Sequence, residues 1–343
     1  WPETLLSVGG LLVLAVGAAT PRRRPTFMAS GLALAAAGWA LWRTPGPPST
    51  DVFFGLILCD AFSLIFRWFT LGVLALCMLL IAGSNEVEER THGEYLALVL
   101  FAGVGMMLMA EANHLLMAYV AMELVSLSSY AMVGLVQDAR AAEASLKYLL
   151  FGALASGVML FGMSLVYGLT GSLAFTEIQR SVASLSGPMT KTLLAAVALV
   201  LVGLAFKISM VPFHMWTPDA YEGAPVPVTA LLSVGPKAAG LALLLHVVEA
   251  LAPVWPSLEP LLIGLAIVTM TLGNLVALVQ RNVKRLLAYS TIAQVGYLLI
   301  GFVVQTRQGL EALLFYLIAY LFMNMGAFAA VVAVVRDTGS ESL

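Results

Sequence analysis

LAFKISMVPFHMWTPDAYEGAPVP, residues 204–227, is the stretch whose reading decides the fold. It follows a run without charge, 192–206, and then sets Lys207 ahead of Pro212, Pro218, Pro225 and Pro227. A lysine at mid-membrane costs roughly 2.5–3.5 kcal/mol on insertion scales. Proline removes a backbone donor and leaves a carbonyl one turn back without its helical partner. An apolar segment that carries both features predicts a helix broken at membrane depth beside a buried ammonium. Such a break is tolerated only where protein or water receives the freed backbone groups. The expectation is a wet cavity that solvates Lys207.

The rest of the chain supports a lipid environment. Of 343 residues, 61% are hydrophobic and 10% are charged, whereas a soluble domain carries about 25% charged residues. The net charge of −2 offers no basic patch for nucleic acid. Cys59 and Cys77 stand alone in apolar surroundings and read as small core residues. Thiolates and imidazoles at zinc or iron–sulfur ligand spacing are lacking. TLLSVGGLLVLAVGAAT is followed, not preceded, by Arg22, Arg23 and Arg24, so it reads as a retained span rather than a signal peptide.

A span needs about 20 apolar residues. Counting such runs predicts an all-α polytopic membrane protein with about eleven transmembrane helices, at 4–20, 27–42, 60–82, 93–110, 114–135, 144–169, 190–211, 227–251, 258–279, 284–304 and 310–335. The loops are short and several are rich in Pro, Gly and Ser, RTPGPPSTD (43–51) among them. In alternate loops, Arg22, Arg23, Arg24, Arg90, Arg140, Arg281, Lys284, Arg285 and Arg336 share one side. Arg43, Arg180, Lys191 and Arg307 share the other. The richer side is expected to be cytoplasmic, which puts the N-terminus outside.

NHLLMAYVAMELV (113–125) resembles NVKRLLAYSTIAQV (282–295), and SLKYLLFGALASG (145–157) resembles LLFYLIAYLFMNMG (313–326), at offsets near 168 to 170 residues. An odd number of spans separates the copies, so the second is inverted, as in many transporters. The second copy ends without a counterpart of 204–227, which implies a longer parent chain.

Several polar residues sit deep in these spans. Tyr119, Glu123, Ser126 and Tyr130 share a helical face by their spacing, as do Thr229, Ser233 and Lys237. A neutral stripe of this kind is often interhelical glue; a carboxylate or an ammonium within it points to a proton or ion site. Lys237 follows Gly235 and Pro236, whose kink must face protein or water. Lys147 is closer to a span end and fits a snorkelling role as well as a functional one. His246 reads equally as a proton relay or a satisfied core histidine. The stripes Ser290, Gln294, Tyr297 and Tyr316, Tyr320, Asn324 suit a water wire or helix packing. Arg67 and the acidic loop NEVEER (85–90) read as structural or interfacial. A charged lysine has no lone pair for sodium, so the set suggests protons.

ELVSLSSY with Glu123, LKYLL with Lys147, GLAFKISMVPFHMWTPDAYEGAP with Lys207 and SVGPKAAG with Lys237 together resemble the antiporter-like membrane subunits of respiratory complex I. The branch most resembled is subunit N, the counterpart of mitochondrial subunit 2. That resemblance covers nearly the whole chain. It implies fourteen helices in the family, inverted five-helix repeats and a broken helix near Lys207–Pro218. Here residues 1–92 would be N-terminal helices, 93–251 the first repeat and 252–343 the start of the second. It further implies proton transfer through Glu123, Lys147, Lys207, Lys237 and His246, with Lys147 bridging Glu123 and Lys207. No cofactor is expected in this chain; NADH, FMN, iron–sulfur clusters and quinone would belong to other subunits. Expected partners are the other membrane subunits, including a neighbouring antiporter-like one, and lipid, in a bacterial inner membrane. The rivals are a cation/proton antiporter, a sibling complex I or hydrogenase subunit, an inert scaffold, and an intramembrane hydrolase, for which no HExxH or GxSxG is present.

Overall fold

In lipid the backbone must bond to itself, so long apolar runs become helices. The computed structural model describes residues 1–20, 22–43, 50–136 and 138–341. The early helices are α1 Pro2–Ala19, α2 Arg23–Arg43, α3 Ala61–Gly83, α4 His92–Glu111, α5 Leu115–Gly134 and α6 Ala139–Thr170. After them come α7 Phe175–Ser184, α8 Pro188–Ile208, α9 Trp216–Gly223, α10 Val226–Ala250, α11 Trp255–Ala277, α12 Val283–Val303 and α13 Arg307–Thr338. Among the described residues, ten helices are long and apolar enough to cross a membrane. The eleventh expected span is α2, a helix of 21 residues that is less apolar than the others and carries Arg23 and Arg24 at its start and Arg43 at its end. Most of the Pro/Gly-rich loop at 43–51 lies outside the described residues; its end forms β1 Thr50–Val52, antiparallel to β2 Ile57–Cys59.

Polar side chains fix several helix starts. Asp60 and Ser63 form a reciprocal capping box on α3. Asp138 accepts from Ala141 N at 2.6 Å at the start of α6, and Thr306 caps α13. Helix α7 does not span. It buries Phe175, Ile178 and Val182 on one face and leaves Glu177 and Arg180 in the open, as a surface helix does.

Helix α10 is the central helix: 94% of its membrane window is buried, against 22% for the window ending in α11. It packs against α3, α4, α8 and α13, among others. Its first residue is tied to a distant loop, because Val226 N donates to Glu86 Oε2 at 2.9 Å. The acidic loop therefore caps the helix that carries Lys237.

The repeat seen in the sequence has counterparts in the elements. α6 and α13 are both 32 residues long, start about 168 residues apart, and end on the left-handed glycines Gly171 and Gly339. α5 and α12 begin at a comparable offset, each capped by the side chain before it, His114 and Asn282.

The break after α8 differs from the expectation in its detail. Ser209 turns left-handed, at φ 64°, and the amides of Ser209 and Met210 return to Phe206 O and Ala205 O. Trp216 Nε1 donates to Phe206 O at 3.0 Å, and Val211 N donates to Thr269 Oγ1 at 3.1 Å. Protein groups, rather than a cavity alone, thus receive the freed backbone. Pro218 breaks nothing; it lies in the first turn of α9, where no amide donor is required.

Candidate functional site

Lys207 lies in the last turn of α8 and is 1% exposed. Its Nζ donates to Ser126 Oγ at 2.9 Å and to Met122 O at 3.2 Å, both on α5. Ser126 Oγ in turn donates to Met122 O at 2.8 Å. Glu123 lies between these two partners in sequence, but its carboxylate turns to α6 and accepts a short hydrogen bond from Ser156 Oγ. No ion pair within 4.0 Å joins Glu123 to Lys207 in this conformation. The stripe read from α5 therefore gathers at Lys207 through its hydroxyl, while its acid stands one helix face away.

Lys237 sits midway along α10 with no exposure and no hydrogen-bond partner for Nζ. Its ammonium lies over the ring of Trp216 at 4.5 Å and over that of Tyr221 at 5.5 Å. Trp216 stacks on Tyr148 with centroids 4.0 Å apart and planes at 4°, and Tyr130 meets Tyr148 edge-on at 4.5 Å. One turn before Lys237 on the same face, Ser233 accepts from Asn324 of α13, and Tyr320 OH donates to Ser233 O at 3.1 Å and contacts Thr291 Oγ1 at 3.2 Å. Tyr316 donates to Gln294, and Asn274 donates to Tyr297. The stripes of α12 and α13 thus bond chiefly to each other, to α10 and to α11.

Lys147 is not brought to Glu123 or Lys207. It pairs with Glu143 at 2.7 Å and with Asp219 of α9 at 3.2 Å, and its side chain is 43% exposed. Asp219 also pairs with Arg285 at 2.8 Å, and Arg285 pairs with Glu222 at 2.7 Å. Arg140 reaches Glu222, and Lys284 reaches Glu341. This clasp binds α6, α9 and α12 at the arginine-rich face. His246 lies on α10 toward the other face, with Nε2 2.9 Å from Ala110 O, beside Phe62 and Phe175. It lines an open cleft of about 390 Å³ with Asp60, Glu249 and Arg307.

Some functional candidates escaped the sequence reading. Arg67 is buried and pairs with Glu111 and, at 2.9 Å, with Glu3. Neither acid was singled out, since residues on three separate helices carry no shared spacing. Trp216 and Tyr221 were quoted within the motif but given no role. No helical spacing signals them, since positions five apart lie about 140° apart around an α-helix.

Residues 112–343 match the family described as NADH:quinone oxidoreductase/Mrp antiporter, TM. "NADH-quinone oxidoreductase subunit N" of Anaeromyxobacter sp. (strain Fw109-5) is 40% identical over 369 residues, covering 100% of this chain and 71% of that relative. The chain belongs to the subunit N family. A chain of respiratory complex I from Thermus thermophilus superposes with TM-score 0.80 at 35% identity, over 97% of this chain and 70% of that one. A chain of the membrane-bound sulfane sulfur reductase, an archaeal respiratory membrane complex, reaches TM-score 0.86 at 27% identity, over 99% of this chain and 72% of that one. The backbone of the subunit N family is thus shared with complexes of other chemistry, and the sequence identity separates them.

Proposed function

We propose that this chain carries protons across a bacterial inner membrane as a subunit of an NADH-quinone oxidoreductase, without redox chemistry of its own. The observation that carries the reading is the pair of sealed lysines. Lys207 and Lys237 are 1% and 0% exposed, and among the described residues no carboxylate lies within ion-pair distance of either. A membrane helix retains so costly a group for function rather than for stability. Lys207 takes the proton at the helix break, and its hydrogen-bonded serine can accept from the ammonium or donate to the neutral amine. Lys237 takes it next, and His246 opens toward the cleft on the far face. Glu123 supplies a movable negative charge: released from Ser156 it would approach Lys207, and at 4 Å two unit charges interact by roughly 4 kcal/mol at an effective dielectric of 20. Lys147 acts by holding α9 against α6.

The relatives' name supports coupling to NADH oxidation and quinone reduction; we assign NADH, FMN, iron–sulfur clusters and quinone to other subunits. Charge asymmetry supports a cytoplasmic arginine-rich face and an N-terminus outside. The matched lengths and caps of α6 and α13 support residues 93–251 as one repeat and 252–343 as the start of its inverted partner.

Inverted membrane vesicles with Lys207→Ala test the reading. NADH-driven quinone reduction and the resulting pH gradient are followed together, with sodium/proton exchange alongside. Loss of the gradient, with quinone reduction slowed or uncoupled, is expected. An intact gradient with impaired sodium/proton exchange would indicate an antiporter instead, and no change in either would make Lys207 structural.

A further inference from the structure

Trp216 and Tyr221 have no role in the reading above, yet they are what touches Lys237. We propose that Trp216, assisted by Tyr221, is the positioning residue of the Lys237 ammonium: its ring face holds the loaded lysine where hydrogen-bond acceptors would otherwise stand. The inference rests on the reading that Lys237 carries a proton.

The geometry is specific. Lys237 Nζ is fully buried, has no hydrogen-bond partner, and sits 4.5 Å from the Trp216 centroid. Of the neighbouring polar groups, Ser233 Oγ donates to Ala230 O and Tyr320 OH bonds Ser233 O, whereas the buried Tyr221 hydroxyl has no partner and presents its ring, not its oxygen, to the ammonium at 5.5 Å. Trp216 is itself fixed. Its Nε1 donates to Phe206 O, its plane lies on Tyr148, and Phe206 borders it at 5.3 Å. Tyr221 adds a second face at 5.5 Å.

A ring quadrupole attracts an ammonium and has almost no hold on a neutral amine, and indole gives the strongest such contact. The indole therefore distinguishes the loaded lysine from the empty one. It does so more weakly than a carboxylate would in the same dry site, which leaves the proton free to depart. Trp216 also opens α9, directly after the irregular 209–215 link from Lys207. A shift of α9 against α8 would draw the indole off Lys237 and so couple the state of the break to release.

The titratable groups facing α10 come from several elements: Lys207 on α8, Tyr221 on α9, Tyr320 on α13, Tyr95 on α4, Cys77 on α3 and Glu86 at the helix start, while Glu123 on α5 acts on Lys207. Of the two acids, Glu123 is bonded to Ser156 and Glu86 to the Val226 amide, eleven residues before Lys237. The rings therefore supply the main contact that favours the cation at Lys237.

The test uses inverted vesicles holding the assembled complex, with Trp216→Phe, Trp216→Leu, Tyr221→Leu and Lys237→Ala. Protons moved per NADH oxidised are measured across pH. W216F is expected to keep most of the yield. W216L is expected to lose yield several-fold and to move the alkaline limb of the profile down by roughly one pH unit. Y221L should give a smaller shift of the same sign, and W216L should add nothing on top of K237A. A wild-type profile in assembled W216L overturns the inference, as does W216F failing as badly as W216L, which would mean packing alone. If W216L does not assemble, a silent Y221L counts as the same refutation. A wild-type yield in K237A would instead overturn the proton-carrying reading itself.

Discussion

Lys207 and Lys237 are equally sealed from solvent but are solvated by different chemistry. Lys207 has a hydroxyl and a carbonyl at hydrogen-bond distance, whereas Lys237 has two aromatic faces and no acceptor. The serine at Lys207 can reverse its role when the amine loses its proton, so that site suits both states. The rings at Lys237 favour the cation alone. The comparison teaches that one chain can hold two ammonium groups in lipid by two routes, and that the route sets which protonation state is preferred.

The comparison breaks most sharply if both lysines are made apolar. Lys207→Met and Lys237→Met should each abolish the redox-driven pH gradient, more than tenfold in rate. Their thermal midpoints should part, because K237M removes an ammonium with no hydrogen bond and raises the midpoint. K207M forfeits hydrogen bonds to a charged group worth about 1.5–3 kcal/mol and gains little. Equal shifts in calorimetry of the purified complex would erase the distinction drawn here.

Ser126→Ala sharpens the Lys207 side. It removes one of two hydrogen bonds and leaves Met122 O in place, with a loss bounded by that same ~1.5–3 kcal/mol. Pumping should slow at both ends of the pH range, since the serine serves both states. An effect confined to one limb would argue against role reversal.

Gly152→Ala acts on the other side. A Cβ at Gly152 would fall 1.7 Å from the Tyr130 hydroxyl and must displace it. Tyr130 supports Tyr148, on which Trp216 stacks. Overpacking of this kind costs about 1–3 kcal/mol. The loss of proton yield should resemble a mild form of W216L, and a double variant with S126A should depart from additivity, because Tyr130 lies one turn from Ser126 on α5.

The smallest effect is expected at the shared scaffold. Burial raises the Asp219 carboxyl, but hydrogen bonds from Arg285 and Lys147 outweigh it and hold the group below its ordinary 3.8. A carboxyl depressed in the fold stabilises above its unfolded value and loses that contribution as pH falls through the folded one. The clasp is therefore intact at neutral pH and weakens only below about pH 4. Asp219→Asn should cost on the order of 0.2–1 kcal/mol at pH 7, because the pair is partly exposed and screened. It should leave both lysines functional; loss of pumping in D219N would make the clasp part of the path.

The spans, the broken helix and the buried lysines were legible because each rests on local signals: run length, proline placement, and a charge where none is cheap. The destination of each side chain was not. Glu123 and Lys207 looked like a pair, yet Glu123 turns to Ser156, and which face a carboxylate chooses depends on a neighbouring helix. Lys147 looked like a bridge and lies in a surface clasp, because its partner Asp219 belongs to α9, whose position follows from the break. Arg67 found two acids on α1 and α4 that no spacing could reveal. Helix α7 was hidden because a ten-residue amphipathic stretch lacks the length of a span.

One contact made far from both lysines has a mechanical consequence. Glu86 belongs to a loop at the arginine-rich surface, and it grips the first amide of α10. Eleven residues of helix, about 16 Å at 1.5 Å per residue, separate that amide from Lys237. The helix is continuous over that length, with Pro236 removing one hydrogen bond just before Lys237. A push or pull on the 84–91 loop therefore bears on the helix that carries an amine no hydrogen bond anchors, and the loop is a handle on the buried lysine from the arginine-rich face.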